Sequence, residues 1–75
     1  MTRKAPKRPT IAKIIWSNIR RIQYIRDISD EDLSLMLECD QRTLRNYDKS
    51  PDCIQLKTIQ LFCLNAEIDA LSLMQ

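Results

Sequence analysis

The chain has 75 residues, 44% hydrophobic and 29% charged, with no glycine, no histidine, three cysteines and a formal charge of +2. That length holds one small domain with a thin core, burying about 60% of the surface its unfolded chain exposes, and the composition is that of a globular protein rather than a disordered one. Without histidine or a CxxC pair an ordinary zinc finger is excluded; with no Gly-rich phosphate loop and no paired nucleophile and base, the reading is of a non-enzyme with no cofactor and no metal.

Residues 1–9 set Arg3, Lys4, Lys7 and Arg8 among Pro6 and Pro9, which predicts an extended basic arm. Residues 10–75 read as the single folded domain. Thr10 is placed to N-cap a helix over 11–26, in which Ile11, Ile14, Ile15, Ile19, Ile22 and Ile25 recur near a helical period. Trp16 lies beside that stripe and covers either the domain's own core or a partner. Ser29 caps a second helix over 30–37, with Asp30, Glu31 and Asp32 at the end that suits negative charge and Leu33, Met36 and Leu37 on one face. Glu38 to Asp40 make a tight turn. In a chain without glycine, Glu38 or a neighbour must hold the left-handed conformation there at some cost.

Asp40 caps a third helix over 41–48. Leu44 and Tyr47 form its inner side, and Gln41, Arg42, Thr43, Arg45 and Asn46 its outer side. Lys49-Ser50-Pro51 break the chain. Asp52-Cys53-Ile54-Gln55 then has the form of a capping box for a fourth helix. Leu56, Ile59 and Cys63 supply that helix with a core face, Ile54, Leu61 and Leu64 form a second apolar strip, and Phe62 adds more. Asn65 suits the left-handed position that closes it. Ile68, Leu71, Leu73 and Met74 give a short fifth helix. The expected fold is all-α, five helices without a sheet, centred on Ile22, Leu33, Leu37, Leu44, Tyr47 and Ile59.

Charge divides the chain. Residues 1–26 hold eight basic residues and no acid, a charge of +8; residues 27–75 hold four basic and ten acidic residues, a charge of −6. A basic leading segment on an acidic body suits an arm for a polyanion; the blander alternative is a solvated tail that aids solubility. An odd cysteine count without secretory features points to reduced thiols and a cytoplasmic protein, with Cys39 and Cys63 as core filler. Lys13 interrupts the apolar run behind the basic start and no small-residue cleavage site follows, so neither a signal peptide nor a membrane span is expected.

A helix, a tight turn and a second helix with a polar, basic outer face over 29–48 is the arrangement that reads a DNA groove. The sequence here resembles the Xre/Cro-type helix-turn-helix regulators of phages and bacteria, from about Ile19 to Leu71. Ile19-Arg20-Arg21-Ile22-Gln23 is similar to that family's first helix, and Ile28-Ser29 to its usual Leu-Ser or Leu-Thr. Leu33-Ser34 stands at its Leu-Ala, Leu37 at the leucine before the turn, Cys39 at the small apolar turn residue, and Thr43-Leu44 at its Thr-Ile or Ser-Ile.

The resemblance implies a compact lambda-repressor-like domain and a sequence-specific DNA-binding transcriptional regulator, repressor-like, acting on double-stranded DNA as a homodimer. It implies that Gln41, Arg42 and Asn46 read base edges. Thr43, Arg45 and Lys49 would meet phosphates or a thymine methyl, and Arg3, Lys4, Lys7 and Arg8 would add charge contacts. Leu71, Leu73 and Met74, with the second strip of helix four, become the candidate dimer interface; otherwise the fifth helix caps the monomer core. Asp27 and Glu38 stand where the family often has glycine, and Asp30 where it usually has Gln or Glu. The family's bridge from a first-helix Arg to a Glu ending helix three maps onto Gln23 and Asp48, which implies at most one hydrogen bond. The alternative function is a protein-binding module on the same fold, an antirepressor, inhibitor or antitoxin-like partner, using the acidic helix 30–37 against a basic protein.

Overall fold

Three side chains decide where the first three helices begin. Thr10, Ser29 and Asp40 have extended backbones, and their side-chain oxygens accept from the N–H of Lys13, Asp32 and Thr43 at 3.1, 3.0 and 2.9 Å. Each satisfies an N–H that the first helical turn leaves without a partner, and is worth about 1 kcal/mol. The computed structural model describes residues 10–74, so the expected arm 1–9, with Arg3, Lys4, Lys7 and Arg8, lies outside the described residues. Within them the chain is all-α: α1 is Ile11–Ile25, α2 Asp30–Leu37, α3 Gln41–Lys49 and α4 Leu56–Ala66, with 3-10 turns at Pro51–Cys53 and Ala70–Met74 and no strand.

The exits share one design. Asp27, Glu38 and Glu67 follow α1, α2 and α4 with φ of 56°, 55° and 58°. The next residues, Ile28, Cys39 and Ile68, donate their N–H back to the carbonyls of Gln23, Ser34 and Cys63 at 2.9, 3.0 and 3.1 Å. This is the Schellman closure, normally made with glycine. The residue after each left-handed position is apolar and packs on the core, which holds the reversal in place without glycine. The left-handed position expected at Glu38 is therefore present. The one expected at Asn65 is not: Asn65 stays helical, its side-chain amide donates to the Met36 carbonyl at 2.7 Å, and the reversal falls at Glu67.

α4 also starts later than the sequence suggests. Pro51 opens a 3-10 turn, and helix begins at Leu56 behind Gln55, whose side chain makes no capping bond. Asp52 does not cap α4; it accepts from the Thr10 hydroxyl at 2.7 Å and ties the start of α1 to this turn. The expected capping box is thus absent, because Pro51 sets a tight turn where the box needs an extended residue.

The core is Ile15, Trp16, Ile19, Leu33, Leu37, Leu44, Tyr47, Phe62, Ala66 and Leu73. Leu33, Leu37, Leu44 and Tyr47 are where the sequence puts them, whereas Ile22 and Ile59 pack only at the margin. α1 turns a face through Ile15, Trp16, Ile19 and Gln23 inward, leaving Ile11 and Ile25 exposed. α4 buries Thr58, Phe62 and Ala66, one turn apart from one another, and leaves Leu56 and Leu64 exposed. The expected fifth helix is the 3-10 turn Ala70–Met74, five residues, packed across α1. There Leu73 is fully buried and its carbonyl accepts from the Asn18 side-chain amide.

Candidate nucleic-acid interface

Trp16, Arg20 and Gln23 sit at i, i+4 and i+7 on α1 and so share a helical face. Around Arg20 they build the junction that sets α2 and α3. Arg20 Nε and Nη2 donate to the two carboxylate oxygens of Asp48, at the end of α3, at 3.1 and 2.8 Å. Arg20 Nη1 donates to Asp30 Oδ1, the first residue of α2, at 2.8 Å, and to Gln23 Oε1 at 2.7 Å. Gln23 Nε2 also donates to Asp30 Oδ1 at 2.7 Å. Trp16 Nε1 donates to Asp48 Oδ1 at 2.7 Å, its ring meets Tyr47 edge to face at 5.1 Å, and the guanidinium lies 5.3 Å from its centroid.

The pairing expected between Gln23 and Asp48 is therefore corrected. Arg20, one turn earlier, reaches Asp48, and Gln23 bonds Asp30 instead. A planar guanidinium with five donors can serve two carboxylates and an amide together, which Gln cannot. The Asp48 hydrogen bond, ahead of the Asp30 one, raises the Arg20 pKa above its ordinary value. Asp48 is held below the usual carboxylate range by Arg20 first and Trp16 after it; Asp30 is lowered by Gln23 first and then Arg20. Salt bridges this exposed are individually weak, and the two-pronged geometry on Asp48 is the exception that counts.

α3 is divided by this anchoring. Leu44 and Tyr47 are buried, and Gln41, Arg42, Arg45, Asn46 and Lys49 are exposed. Thr43 is half-buried and its hydroxyl donates to Asp40 Oδ1 at 2.8 Å. The same Thr43 contacts lower the Asp40 pKa. The five exposed side chains, two of them guanidiniums and two amides, offer paired donors and donor–acceptor edges along one helix.

The expected dimer surface needs revision. Leu71 and Met74 are exposed, at 72% and 48%, but Leu73 is 0% exposed and belongs to the core. In a 3-10 turn residues three apart align, so Leu71 and Met74 share the outer side while Leu73 points inward. Burial pushes the Cys39 and Cys63 thiols up, and Cys53 is exposed; all three are free. Among the described residues no cluster of three metal-ligating side chains occurs, and no helix is long and apolar enough to cross a membrane. Compared with protein-family models, curated proteins and solved structures, the chain matches none.

Proposed function

We propose that this chain is a sequence-specific DNA-binding regulator of repressor-like type, a lambda-repressor-like domain with α2 and α3 as its helix-turn-helix. The observation that carries the reading is the division of α3: Leu44 and Tyr47 lock one side into the core while Gln41, Arg42, Arg45, Asn46 and Lys49 occupy the other. Arg pairs with the O6 and N7 edge of guanine, and Gln or Asn with the N6 and N7 edge of adenine. Thr43, its hydroxyl held by Asp40, is left to touch a thymine methyl. Arg20 supports the reading by compensating Asp30 and Asp48, two acids that would otherwise repel phosphates. The partners are double-stranded DNA and a second copy of the chain, with Leu71 and Met74 on the surface that such a dimer would use.

A second reading, the protein-binding module, is favoured by one observation: Glu31 and Asp32 stand exposed in the first turn of α2, where a basic partner would meet them. Selection from random duplex DNA separates the two. A bound site should emerge, and Arg42→Ala should then cost about 1–3 kcal/mol on that site with little effect on random duplex. No duplex retained above the non-specific level at low salt removes the DNA reading in favour of the protein-binding one.

A further inference from the structure

The chain after α4 folds back on itself. Glu67 takes the left-handed conformation, φ 58° and ψ 52°, and the Ala70–Met74 turn beyond it packs on α1 more than on the α4 it follows. Its hold there is the fully buried Leu73 and the bond from the Asn18 amide to the Leu73 carbonyl. Residues 67–74 contain no glycine or proline, and Glu67, Ala70, Leu71, Leu73 and Met74 are all good helix formers. With Glu67 helical, α4 would run unbroken from Leu56 to Met74. That spacing produces two alignments. Leu61, Leu64, Ile68 and Leu71 stand three, four and three residues apart, the repeat of a helix-pairing seam. In the folded-back form Leu64 and Leu71 belong to different elements and both are exposed. Leu73 falls on the stripe of Phe62 and Ala66, which α4 already turns into the core. One side chain opposes the extension. Arg26 Nη1 donates to the Ala66 carbonyl at 2.8 Å, the acceptor that the Ala70 N–H would take in a continuous helix.

We propose that Ala70–Met74 is an exchangeable segment: Glu67 turns helical, α4 continues to Met74, and Leu73 of each copy fills the Leu73 site on α1 of a second copy. The partner is the same chain because the site's occupant is this chain's own segment, and exchange remakes the same contacts between two copies instead of within one. The dimer gains the Leu61–Leu64–Ile68–Leu71 seam and release of Glu67 from a conformation in which its Cβ is crowded. It gives up the Arg26 bond. The exchange needs only a second copy and does not rest on the DNA reading.

The test is sedimentation velocity on the full chain over a wide range of concentration, with helix content followed by circular dichroism across the same range. The parent should pass from monomer to dimer with a rise in helicity, since residues 67–74 join α4 in the exchanged form. Glu67→Ala favours the continuous helix and should strengthen dimerisation. Glu67→Gly favours the reversal and should weaken it. The two variants should differ by at least roughly tenfold in dimer affinity, because two hinges open in each dimer. Arg26→Ala frees the Ala66 carbonyl, leaves the hinge untouched, and should strengthen dimerisation too; it carries the test should Glu67→Ala not fold. A dimer built instead from the outer faces of folded-back chains needs the reversal, so Glu67→Gly would leave it as strong or stronger and helicity would not change with concentration. That result, or a chain that stays monomeric both as Glu67→Ala and as Arg26→Ala, overturns the exchange. Dimerisation that weakens in Glu67→Gly while no duplex is retained upholds the exchange and sinks the DNA reading; a retained duplex with Glu67→Gly dimerising as well as the parent does the reverse.

Discussion

Replacing Glu38 by glycine should stabilise this domain, although glycine destabilises most helical positions. Glu38 has φ 55° at the exit of α2. A side chain with a Cβ costs about 1–2 kcal/mol in that conformation, and glycine removes the cost while returning about 0.5–1 kcal/mol of freedom to the unfolded chain. The carboxylate adds a second, smaller penalty because it sits at the negative end of the helix, about 0.3 kcal/mol or more at low salt. The net gain from Glu38→Gly is therefore roughly 0.3–1.8 kcal/mol, which for a domain of this size raises Tm by roughly 4–8 °C per kcal/mol. Two companions separate the causes. Glu38→Gln removes the charge alone and should recover only the smaller part. Glu38→Ala keeps the Cβ and should be less stable than Glu38→Gly, the reverse of their order inside a helix. Urea unfolding of the four proteins with a common m-value gives the comparison. If alanine at 38 proves as stable as glycine, the left-handed exit is not strained and the argument fails. Glu67→Gly should behave like Glu38→Gly, and Asp27→Gly should gain less, since aspartate tolerates this region better.

Leu37→Ala, in the core at 2% exposure, should cost about 2–5 kcal/mol in urea unfolding, whereas Leu71→Ala should fall within about 0.5 kcal/mol for the monomer; similar losses for both would put Leu71 inside. Asp30 and Asp48 have lowered folded-state pKa values. Their stabilisation is thus complete above the ordinary carboxylate pKa of about 3.9 and is lost as pH falls through the lower folded values. The urea midpoint should therefore hold from pH 7 to 5 and drop below about pH 4, and Arg20→Met should flatten that drop. Deleting residues 1–8, with Arg3, Lys4, Lys7 and Arg8, should weaken binding to every duplex and reduce the salt slope by about 0.9 for each phosphate the arm had neutralised; an unchanged slope would leave the arm without a role on DNA.

What the sequence showed plainly was local. Thr10, Ser29 and Asp40 each reveal a helix start because the bond that makes a cap spans three residues, and the helical spacing behind each of them places Leu33, Leu37, Leu44 and Tyr47 correctly. The failures share another cause. Asp52 looks like a cap and bonds Thr10; Asn65 looks like a helix end and bonds Met36; Leu73, open between a dimer surface and the monomer core, lies in the core against α1. In each case a partner 29 to 55 residues away outweighs the local pattern. Arg20 was missed for the same reason: as one of a run of basic residues it resembles solvated charge, and its only local signal is sharing a face with Trp16 and Gln23. On α3 the exposed residues follow directly from the period of Leu44 and Tyr47, so most of the proposed reading face was legible, while Thr43's bond to Asp40 and the compensation of Asp30 were not.

The packing of the Ala70–Met74 turn across α1 makes completion of the core depend on the far end of the chain. α1 leaves the ribosome before the other helices, yet Ile15, Trp16 and Ile19 share their core with Leu73, and Asn18 reaches its acceptor there across 55 positions. Nothing made earlier can supply that carbonyl. However α2, α3 and α4 pack, α1 keeps one apolar flank open until the turn after α4 is in place. A chain that ends before Leu73 therefore leaves that flank of the isoleucine-rich α1 uncovered and Asn18 without the Leu73 carbonyl.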